Sequence, residues 1–199
     1  MSIFYRPDAS VAADFIPFFW NGEYHLFYLR DWRNHQGHGE GTPWFHLVTR
    51  DFVHFEDWGE ALPRGTKEEQ DLYVFTGSAY HADGQFHIFY TGHNHHLKQA
   101  GKPVQAILHA TSPDLRTWTK EAGWAMYAPA ELGYEPDDWR DPFVLDHRAS
   151  EHPHVLFTRC AARQRLAPIL EMHKIARHQV EPGRALAVAG RIAIVLEVE

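Results

Sequence analysis

The sequence contains almost no cysteine: Cys160 is the only one in 199 residues, so no internal disulfide can form. Chains with so little cysteine are typical of a reducing compartment, and we expect the protein to be cytoplasmic. The N-terminus has no charged-then-apolar signal pattern, and no apolar run approaches membrane-spanning length. Positive charge is also scarce, since the formal net charge is −7 and no basic patch stands out. These absences argue against nucleic-acid and membrane partners.

Aromatic side chains, by contrast, are abundant. They make up 14% of the chain, and Phe, Tyr and Trp are all well represented. Aromatic residues favour β-strands, and they commonly line pockets that hold small ligands with apolar faces. We therefore expect a β-rich protein with an aromatic-lined, carbohydrate-type pocket.

A hairpin signal occurs twice, with a period of 62 residues. Asn21-Gly22 separates two apolar, aromatic runs, and Asp83-Gly84 separates a second pair of such runs. These dipeptides favour tight hairpin turns because both turn positions need positive φ. A Ser/Thr-x-Asp turn follows each hairpin, at 49–51 and again at 112–114. Each copy therefore predicts a hairpin, a long loop, a third strand and an edge strand.

Four short strands per repeat are typical of a propeller blade. We predict an all-β fold, a partial β-propeller with two four-stranded blades and the start of a third at Arg140–Leu145. Residues 1–145 would form this domain, and 146–199 would be an atypical, partly helical C-terminal tail.

The tail differs from the blades in composition. Downstream of Phe143 the only aromatic residue is Phe157, and Ala, Arg and His become frequent. The segment Pro168–Ile175 is compatible with a short helix that has Pro at its first position, and Ile192–Leu196 with one strand. A truncated or frame-shifted gene would explain such an abrupt change.

The stretch Trp139-Arg140-Asp141-Pro142-Phe143 lies at the mouth of the third predicted blade. An aspartate rarely stays ionised away from water unless it is paired, and we expect Arg140 to keep Asp141 charged. Pro142 removes a backbone donor where the strand begins. On these residues alone, an ordinary surface ion pair is the better interpretation.

Four stretches, taken in order, resemble glycoside hydrolase family 32, the five-bladed β-propeller enzymes that include β-fructofuranosidases, invertases, levanases and inulinases. They are Phe27-Tyr28, Trp44–Phe55, Phe75–Ser78, which is similar to the family's Phe-Ser-Gly-Ser motif, and Trp139–Phe143, which is similar to its Arg-Asp-Pro motif. The resemblance covers about residues 12–145, and the C-terminal part departs from it.

The resemblance implies a set of site residues. Asp14 stands at the position of the family nucleophile, and Asp141 would stabilise the transition state. The substrate-binding residues would be Arg140, Trp32, Trp44, Phe75 and Ser78. The repeat supports the aspartates independently, because Asp14, Thr76 and Asp141 each precede an innermost strand and would meet around the propeller axis.

The acid/base is harder to place. Retaining glycoside hydrolysis needs a nucleophile and an acid whose carboxyl groups lie about 5–5.5 Å apart. The family carries this acid on a Glu-Cys-Pro motif, and the present sequence has no Glu-Cys pair. Glu197 lies at about the expected distance along the chain and is the candidate, with Glu171 as a nearer alternative. Loss of the general acid would lower the rate by about 10²–10⁴-fold.

The predicted function is therefore that of a retaining β-fructofuranosidase-type glycosidase acting on sucrose or fructans, with a small carbohydrate ligand and no cofactor. One alternative is a non-catalytic carbohydrate-binding remnant, which the missing acid favours. Another is a related propeller glycosidase that acts on arabinosides or xylosides. Two or three blades cannot close a five-bladed ring, so either the tail or a second copy, in a homo-oligomer, is expected to cover the open edge.

Histidines are grouped at His93, His95 and His96, and again at His35 and His38. Zinc-type spacings such as His-Glu-x-x-His are missing. We interpret these histidines as solvated loop residues beside the sugar cleft and predict no metal site.

Overall fold

Residues 5–32, 37–129, 135–145, 154–158 and 196–197 are described by the computed structural model of the chain. They form three antiparallel sheets. The first contains β1 (Val11–Trp20), β2 (Glu23–Asp31), β3 (Trp44–Thr49) and β4 (Glu56–Leu62), in that order. The second contains β5 (Tyr73–Ala82), β6 (Gln85–His93), β7 (Gln105–Ser112) and β8 (Thr119–Met126). The third contains β9 (Arg140–Leu145), β10 (His154–Thr158) and β11 (Leu196–Glu197). Short 3₁₀ helices span His95–Ala100 and Pro136–Asp138.

Both predicted hairpins are confirmed. Asn21 and Gly22 have φ values of 48° and 83°, and Asp83 and Gly84 have φ values of 50° and 76°. Two consecutive residues with positive φ define the two-residue turn whose twist matches that of the flanking strands. The local sequence alone therefore determines how each sheet begins.

The Ser/Thr-x-Asp turns are also confirmed, and their side chains explain them. Thr49 Oγ1 accepts from Phe52 N at 2.9 Å, and Asp51 Oδ1 accepts from His54 N at 2.8 Å. In the second sheet Asp114 Oδ1 accepts from Thr117 N at 2.7 Å. Short polar side chains thus satisfy backbone donors that the end of a strand would otherwise leave unpaired.

The three sheets follow one another as propeller blades. Strands β1, β5 and β9 are the first strand of each sheet, and β5 packs between the other two. Gly77 allows a close approach within β5–β6, because a Cβ on it would lie 2.1 Å from Phe89 O. We call the first two sheets blade 1 and blade 2, and the third sheet blade 3.

The main core lies between blades 1 and 2. It is built from alternate residues of the central strands, including Phe27, Leu29, Ile88 and Tyr90, all buried. The opposite face of β2 contributes Leu26 and Tyr28 to a smaller cluster. Because β2 is buried on both faces, its sequence is a continuous apolar run rather than an alternating one.

Each of the first two blades contains a histidine pair in the same register. His25 Nδ1 lies 3.0 Å from His46 Nε2, and His87 Nδ1 lies 3.1 Å from His109 Nε2. A phenylalanine ring stacks on the second histidine of each pair, with centroid distances of 4.2 and 4.5 Å. Burial lowers the pKa of His46 to about 3 and that of His109 to about 4. Each pair is thus a neutral hydrogen-bonded unit inside its blade.

Blade 3 extends past residue 145, the predicted domain boundary. Strand β10 pairs antiparallel with β9, through Val155 and Val144 among others, and β11 pairs with β10. The predicted helix at 168–175 lies outside the described residues, as does most of the predicted strand at 192–196. Within the described part of the chain, no helix has both the length and the hydropathy needed to cross a membrane.

Candidate active site

Asp14 lies at a bulge in β1. The pairing of β1 with β2 shifts register between Ala13 and Phe15, and Asp14 takes a φ of 41°. A bulge turns its residue out of the ladder, and here it leaves the aspartate exposed. Thr76, at the matching bulge of β5, donates its hydroxyl to Asp14 Oδ2 at 2.7 Å. The bulge residues of β1 and β5, Asp14 and Thr76, are therefore in direct contact.

Asp141 is joined to the same place through Thr91. Its backbone N donates to Thr91 Oγ1 at 2.8 Å, and that hydroxyl donates to Thr76 O at 3.1 Å. Asp141 also has a positive φ of 57°, at the register shift between β9 and β10. Thr76 thus takes part in both contacts, with its backbone carbonyl on the side of Asp141 and its hydroxyl on the side of Asp14.

The pKa of Asp141 is raised, whereas Arg140 was expected to keep this carboxylate charged. Burial raises its pKa above the ordinary value, the neighbouring Arg140 charge opposes this, and the charge of Asp14 raises it further. The expected lowering by Arg140 is present but does not prevail, because desolvation is the larger effect.

Arg140 lies between two carboxylates. Its Nε is 3.7 Å from Asp141 Oδ2, and its Nη1 is 3.5 Å from Asp138 Oδ1. Asp138, which lies two residues before Arg140, therefore supports the guanidinium with a second negative charge. With its guanidinium partly exposed, Arg140 keeps donors available to a ligand.

Phe75 directly precedes Thr76 and remains partly exposed. Its ring stacks on His93, with centroids 4.9 Å apart and planes 21° from parallel. Burial lowers the pKa of His93, and the charge of Arg140 lowers it as well while Asp137 raises it. The two rings form an aromatic wall beside the arginine, a surface suited to the apolar face of a sugar.

Sequence reasoning missed Thr91 and His93 as parts of this site. Both lie at the end of β6, where a run of apolar residues, Ile88-Phe89-Tyr90, becomes polar. A buried threonine at the end of an apolar strand was the available signal, since such a hydroxyl must find partners.

Trp32 follows the end of β2, at the same end of blade 1 as Val11. Its ring stacks on His38 at 4.6 Å, and the guanidinium of Arg30 lies 5.4 Å from its centroid. It thus belongs to the loops at this end of the molecule, although neither stacking partner was predicted.

Two predicted binding residues have other roles in the structure. Trp44 is fully buried in the core between the blades, and its Nε1 donates to Phe75 O at 3.2 Å. Its assignment to the pocket lining was wrong, because an enclosed ring offers no surface to a ligand. Ser78 is also buried, and its Oγ accepts from Val144 N at 2.9 Å, which fixes β9 against blade 2.

The register does not bring Glu197 to the two aspartates. Glu197 pairs with His154, which pairs with Leu145, so its backbone lies two strands across and four residues along from Asp141. Standard strand spacings make that backbone separation roughly 16 Å, which argues against Glu197 as a residue of this site. The alternative, Glu171, lies outside the described residues.

A second cluster lies at the neighbouring loops. Glu40 receives hydrogen-bonding contacts from His95 Nε2 at 3.1 Å and from His96 Nε2 at 3.0 Å. These three side chains form a group that could hold a metal ion. His38, predicted to be a solvated loop residue, is exposed and stacks on Trp32, and His35 lies outside the described residues.

A cavity of about 370 Å³ lies elsewhere, at the outer strands of blade 2. It contains the buried ion pair of Lys120 Nζ and Asp71 Oδ2, 2.6 Å apart, but neither of the site aspartates. The paired charges neutralise each other, so this cavity does not compete with the aspartates as the candidate site.

The chain is similar in sequence to known proteins. The family profile described as "Glycosyl hydrolases family 32 N-terminal domain" matches residues 15–179. The chain is 42% identical to the levanbiose-producing levanase of Bacillus subtilis (strain 168) over 64 residues, which are 31% of this chain and 11% of that protein. It is 34% identical to the raffinose invertase of Escherichia coli over 171 residues, covering 66% of this chain and 34% of the relative.

The fold is shared with solved structures of the same kind. The crystal structure of fructan 1-exohydrolase IIa from Cichorium intybus superposes with a TM-score of 0.62 at 22% identity, covering 79% of this chain and 29% of that one. The chain therefore spans between about a tenth and a third of the length of these proteins.

Proposed function

We propose the following function from the premise that the chain belongs to glycosyl hydrolase family 32: it acts on terminal β-fructofuranosyl bonds of sucrose or fructans by a retaining mechanism. The observation that carries the proposal is the convergence of Asp14 and Asp141 from blades 1 and 3 on the threonines of blade 2. The similarity to proteins named as a levanase and a raffinose invertase supports the substrate class.

In this proposal Asp14 is the nucleophile. Its exposed carboxylate attacks the anomeric carbon while the glycosidic C–O bond breaks, and the leaving oxygen departs as an alcohol after taking up a proton. Water then hydrolyses the glycosyl-enzyme ester, which releases the sugar and restores the carboxylate. The hydrogen bond from Thr76 Oγ1 to Oδ2 leaves Oδ1 free to attack and fixes the orientation of the carboxylate. A fixed nucleophile lowers the entropic part of the barrier.

Asp141 stabilises the transition state in this proposal. Its carboxylate accepts hydrogen bonds from sugar hydroxyls, and these strengthen as positive charge develops on the ring. The coupling to Asp14 adds a second effect, because the charge of Asp14 raises the pKa of Asp141. Once Asp14 is esterified that charge is gone, so Asp141 becomes a stronger acid in the intermediate than in the free protein.

Arg140, Phe75 and His93 complete the sugar subsite. The guanidinium binds hydroxyls, and the stacked rings cover an apolar sugar face. Trp32 lines the rim of the subsite at the end of blade 1.

The test is hydrolysis of sucrose, inulin and levan by the full chain, followed by NMR of the anomeric configuration of the first product. Retention of configuration is expected, and Asp14→Asn should abolish turnover while sugar binding persists. The small variant Asp14→Gly should regain turnover of an activated aryl fructoside when azide is added as an external nucleophile. Turnover that is unaffected by Asp14→Asn would refute the assignment.

A second candidate function is carbohydrate binding without turnover. It rests on the roughly 16 Å that strand spacing puts between the backbones of Glu197 and Asp141, which argues against Glu197 as the acid/base. An aryl fructoside has a leaving group that needs no protonation. If this substrate is cleaved but sucrose is not, the nucleophile works without a general acid. Fructose binding without cleavage of either substrate selects the binding function.

Two further parts of the proposal concern the cellular location and the oligomeric state of the protein. A cytoplasmic location is proposed from the single cysteine, and fractionation of the native host would test it. A homo-oligomer that covers the open edge of the blades is proposed from the exposed Phe15 and Phe19 of β1, and light scattering would measure it.

A further inference from the structure

Two long loops of different blades meet at Glu40. Glu40 belongs to the connection between β2 and β3, whereas His95 and His96 begin the 3₁₀ helix that follows β6. His95 Nε2 lies 3.1 Å from Glu40 Oε1, and His96 Nε2 lies 3.0 Å from Oε2. One potential ligand atom from each of the three side chains lies within 4.8 Å of the others.

The histidines are held in place by Asn94. This residue is fully buried, and its Oδ1 accepts from His96 N at 3.0 Å as the N-cap of the short helix. Its Nδ2 donates to Lys67 O at 2.9 Å and to Glu69 O at 2.6 Å. A capping amide with several partners fixes the backbone from which both imidazoles project.

The carboxylate has its own support. Tyr73, at the start of β5, donates its hydroxyl to Glu40 Oε1 at 3.2 Å. Hydrogen bonds of this kind orient a ligating carboxylate and are found around most protein metal sites. The side chains of Glu40 and His96 are partly buried, while that of His95 is half exposed, so the group is both formed and open to solvent.

We propose that Glu40, His95 and His96 bind one transition-metal ion of the zinc class. Two imidazoles and one carboxylate are a common ligand set for Zn²⁺ in proteins. Bonds of 2.0–2.2 Å in a tetrahedron place ligand atoms roughly 3.4 Å apart, so the observed N–O distances need to widen by only a few tenths of an ångström. The fourth position faces solvent and accepts water or a ligand oxygen.

Lys67 is the competing cation. Its Nζ lies 3.5 Å from Glu40 Oε2, where it partly neutralises the carboxylate. Because the ammonium side chain is mostly exposed, it can move away when a divalent ion arrives. Removal of this charge should therefore strengthen metal binding, which a purely hydrogen-bonded cluster would not predict.

The ion would join the two blades near the candidate sugar subsite. Tyr73 contacts Phe75 at a ring distance of 5.7 Å, and His95 lies 6.4 Å from His93. Metal binding would therefore stabilise the loops of both blades at the rim of the subsite. This inference does not depend on whether the aspartates catalyse hydrolysis.

The experiment uses the untagged full chain, treated with EDTA and dialysed, because its 16 histidines already offer weak sites. Zn²⁺ is titrated by calorimetry, and Co²⁺ is titrated by its visible absorption as a probe of tetrahedral geometry. One equivalent is expected to bind, with a rise in melting temperature. Glu40→Gln, His95→Gln and His96→Gln should each weaken binding by at least about 10-fold, and Tyr73→Phe by about 10-fold.

Two further variants separate the proposal from its alternatives. His54 faces the Asp51 carboxylate at 2.7 Å on an exposed turn, so His54→Gln is the matched control and should change nothing. Lys67→Met removes no ligand and should tighten binding, which keeps the test valid if a ligand variant fails to fold. Several weak sites, or stoichiometric binding that survives Glu40→Gln, would overturn the proposal, and so would an affinity unchanged by Lys67→Met.

Discussion

Acidification should destabilise this protein well above the pH at which carboxylates titrate, because blades 1 and 2 each contain a neutral histidine pair. Burial is the main cause that lowers the pKa of His46 to about 3, and the charges of His25 and Arg116 lower it further. An unfolded histidine titrates near 6.5. Since the unfolded chain binds more protons, this contribution to stability is complete above pH 6.5 and is lost as the pH falls below it.

The magnitude follows from the two pKa values of His46. At pH 5 the unfolded histidine is almost fully protonated and the folded one is not, which destabilises the fold by about 2 kcal/mol relative to neutral pH. His109, with a pKa lowered to about 4, contributes to the loss of stability in the same direction. Its contribution is smaller, because the side chain is only partly buried and its pKa is lowered less. A loss of this size is a large fraction of the roughly 5–15 kcal/mol that stabilises a typical domain.

The assay is urea unfolding at pH 7.5, 6 and 5, followed by tryptophan fluorescence. The fluorescence of Trp58 reports directly on the His25–His46 pair, since its ring lies 4.8 Å from that of His46. His46→Gln keeps a polar group but cannot be protonated, so it should reduce the pH dependence by about 2 kcal/mol between pH 7.5 and pH 5. Its absolute stability at pH 7.5 is not the criterion.

The carboxylates of Asp51 and Asp114 do not account for the expected change. Backbone and side-chain hydrogen bonds lower the pKa values of Asp51 and Asp114, so their contributions are lost only at still lower pH. Equal unfolding free energies at pH 7.5 and pH 5, or an unchanged slope in His46→Gln, would refute the reasoning.

Two other substitutions test how the blades are held together. Gly77→Ala should lower the free energy of unfolding by about 1–3 kcal/mol, since its Cβ would lie 2.1 Å from Phe89 O. Gly123→Ala, with a positive φ but open space around it, should cost only about 1 kcal/mol, so equal urea midpoints for the two variants would contradict the packing argument. Ser78→Ala should cost about 1 kcal/mol and weaken sugar binding, because Val144 N loses its acceptor and β9 carries Asp141. A sugar titration that matches that of the unaltered chain would show that Ser78 does not position the strand.

The repeat could be predicted from the sequence because it depends on local chemistry. Asn-Gly and Asp-Gly turns and the Ser/Thr-x-Asp turns need no distant partner, and all of them occur where the residues indicated. The pair of aspartates was also predictable, since equivalent positions in successive blades must face one axis. Both inferences use only the period of the chain.

The roles of residues that depend on contacts with distant parts of the chain could not be predicted from the repeat. A tryptophan in the sequence can be an exposed ring that binds sugar or a buried ring of the core, and the local sequence is the same in both cases. Only the packing of blade 2 on blade 1 buries Trp44. Similarly, His95 and His96 were interpreted as solvated because their partner, Glu40, is 55 residues away in a different loop.

The pattern of turns and strands was therefore determined by the sequence itself, through hydrogen bonds and φ preferences that act within a few residues. The environment of each polar group was decided by the tertiary structure. Burial raises the pKa of Asp141 despite the adjacent arginine, and it keeps His46 neutral. Desolvation depends on which elements cover a side chain, and the chain acquires that property only when its blades pack together.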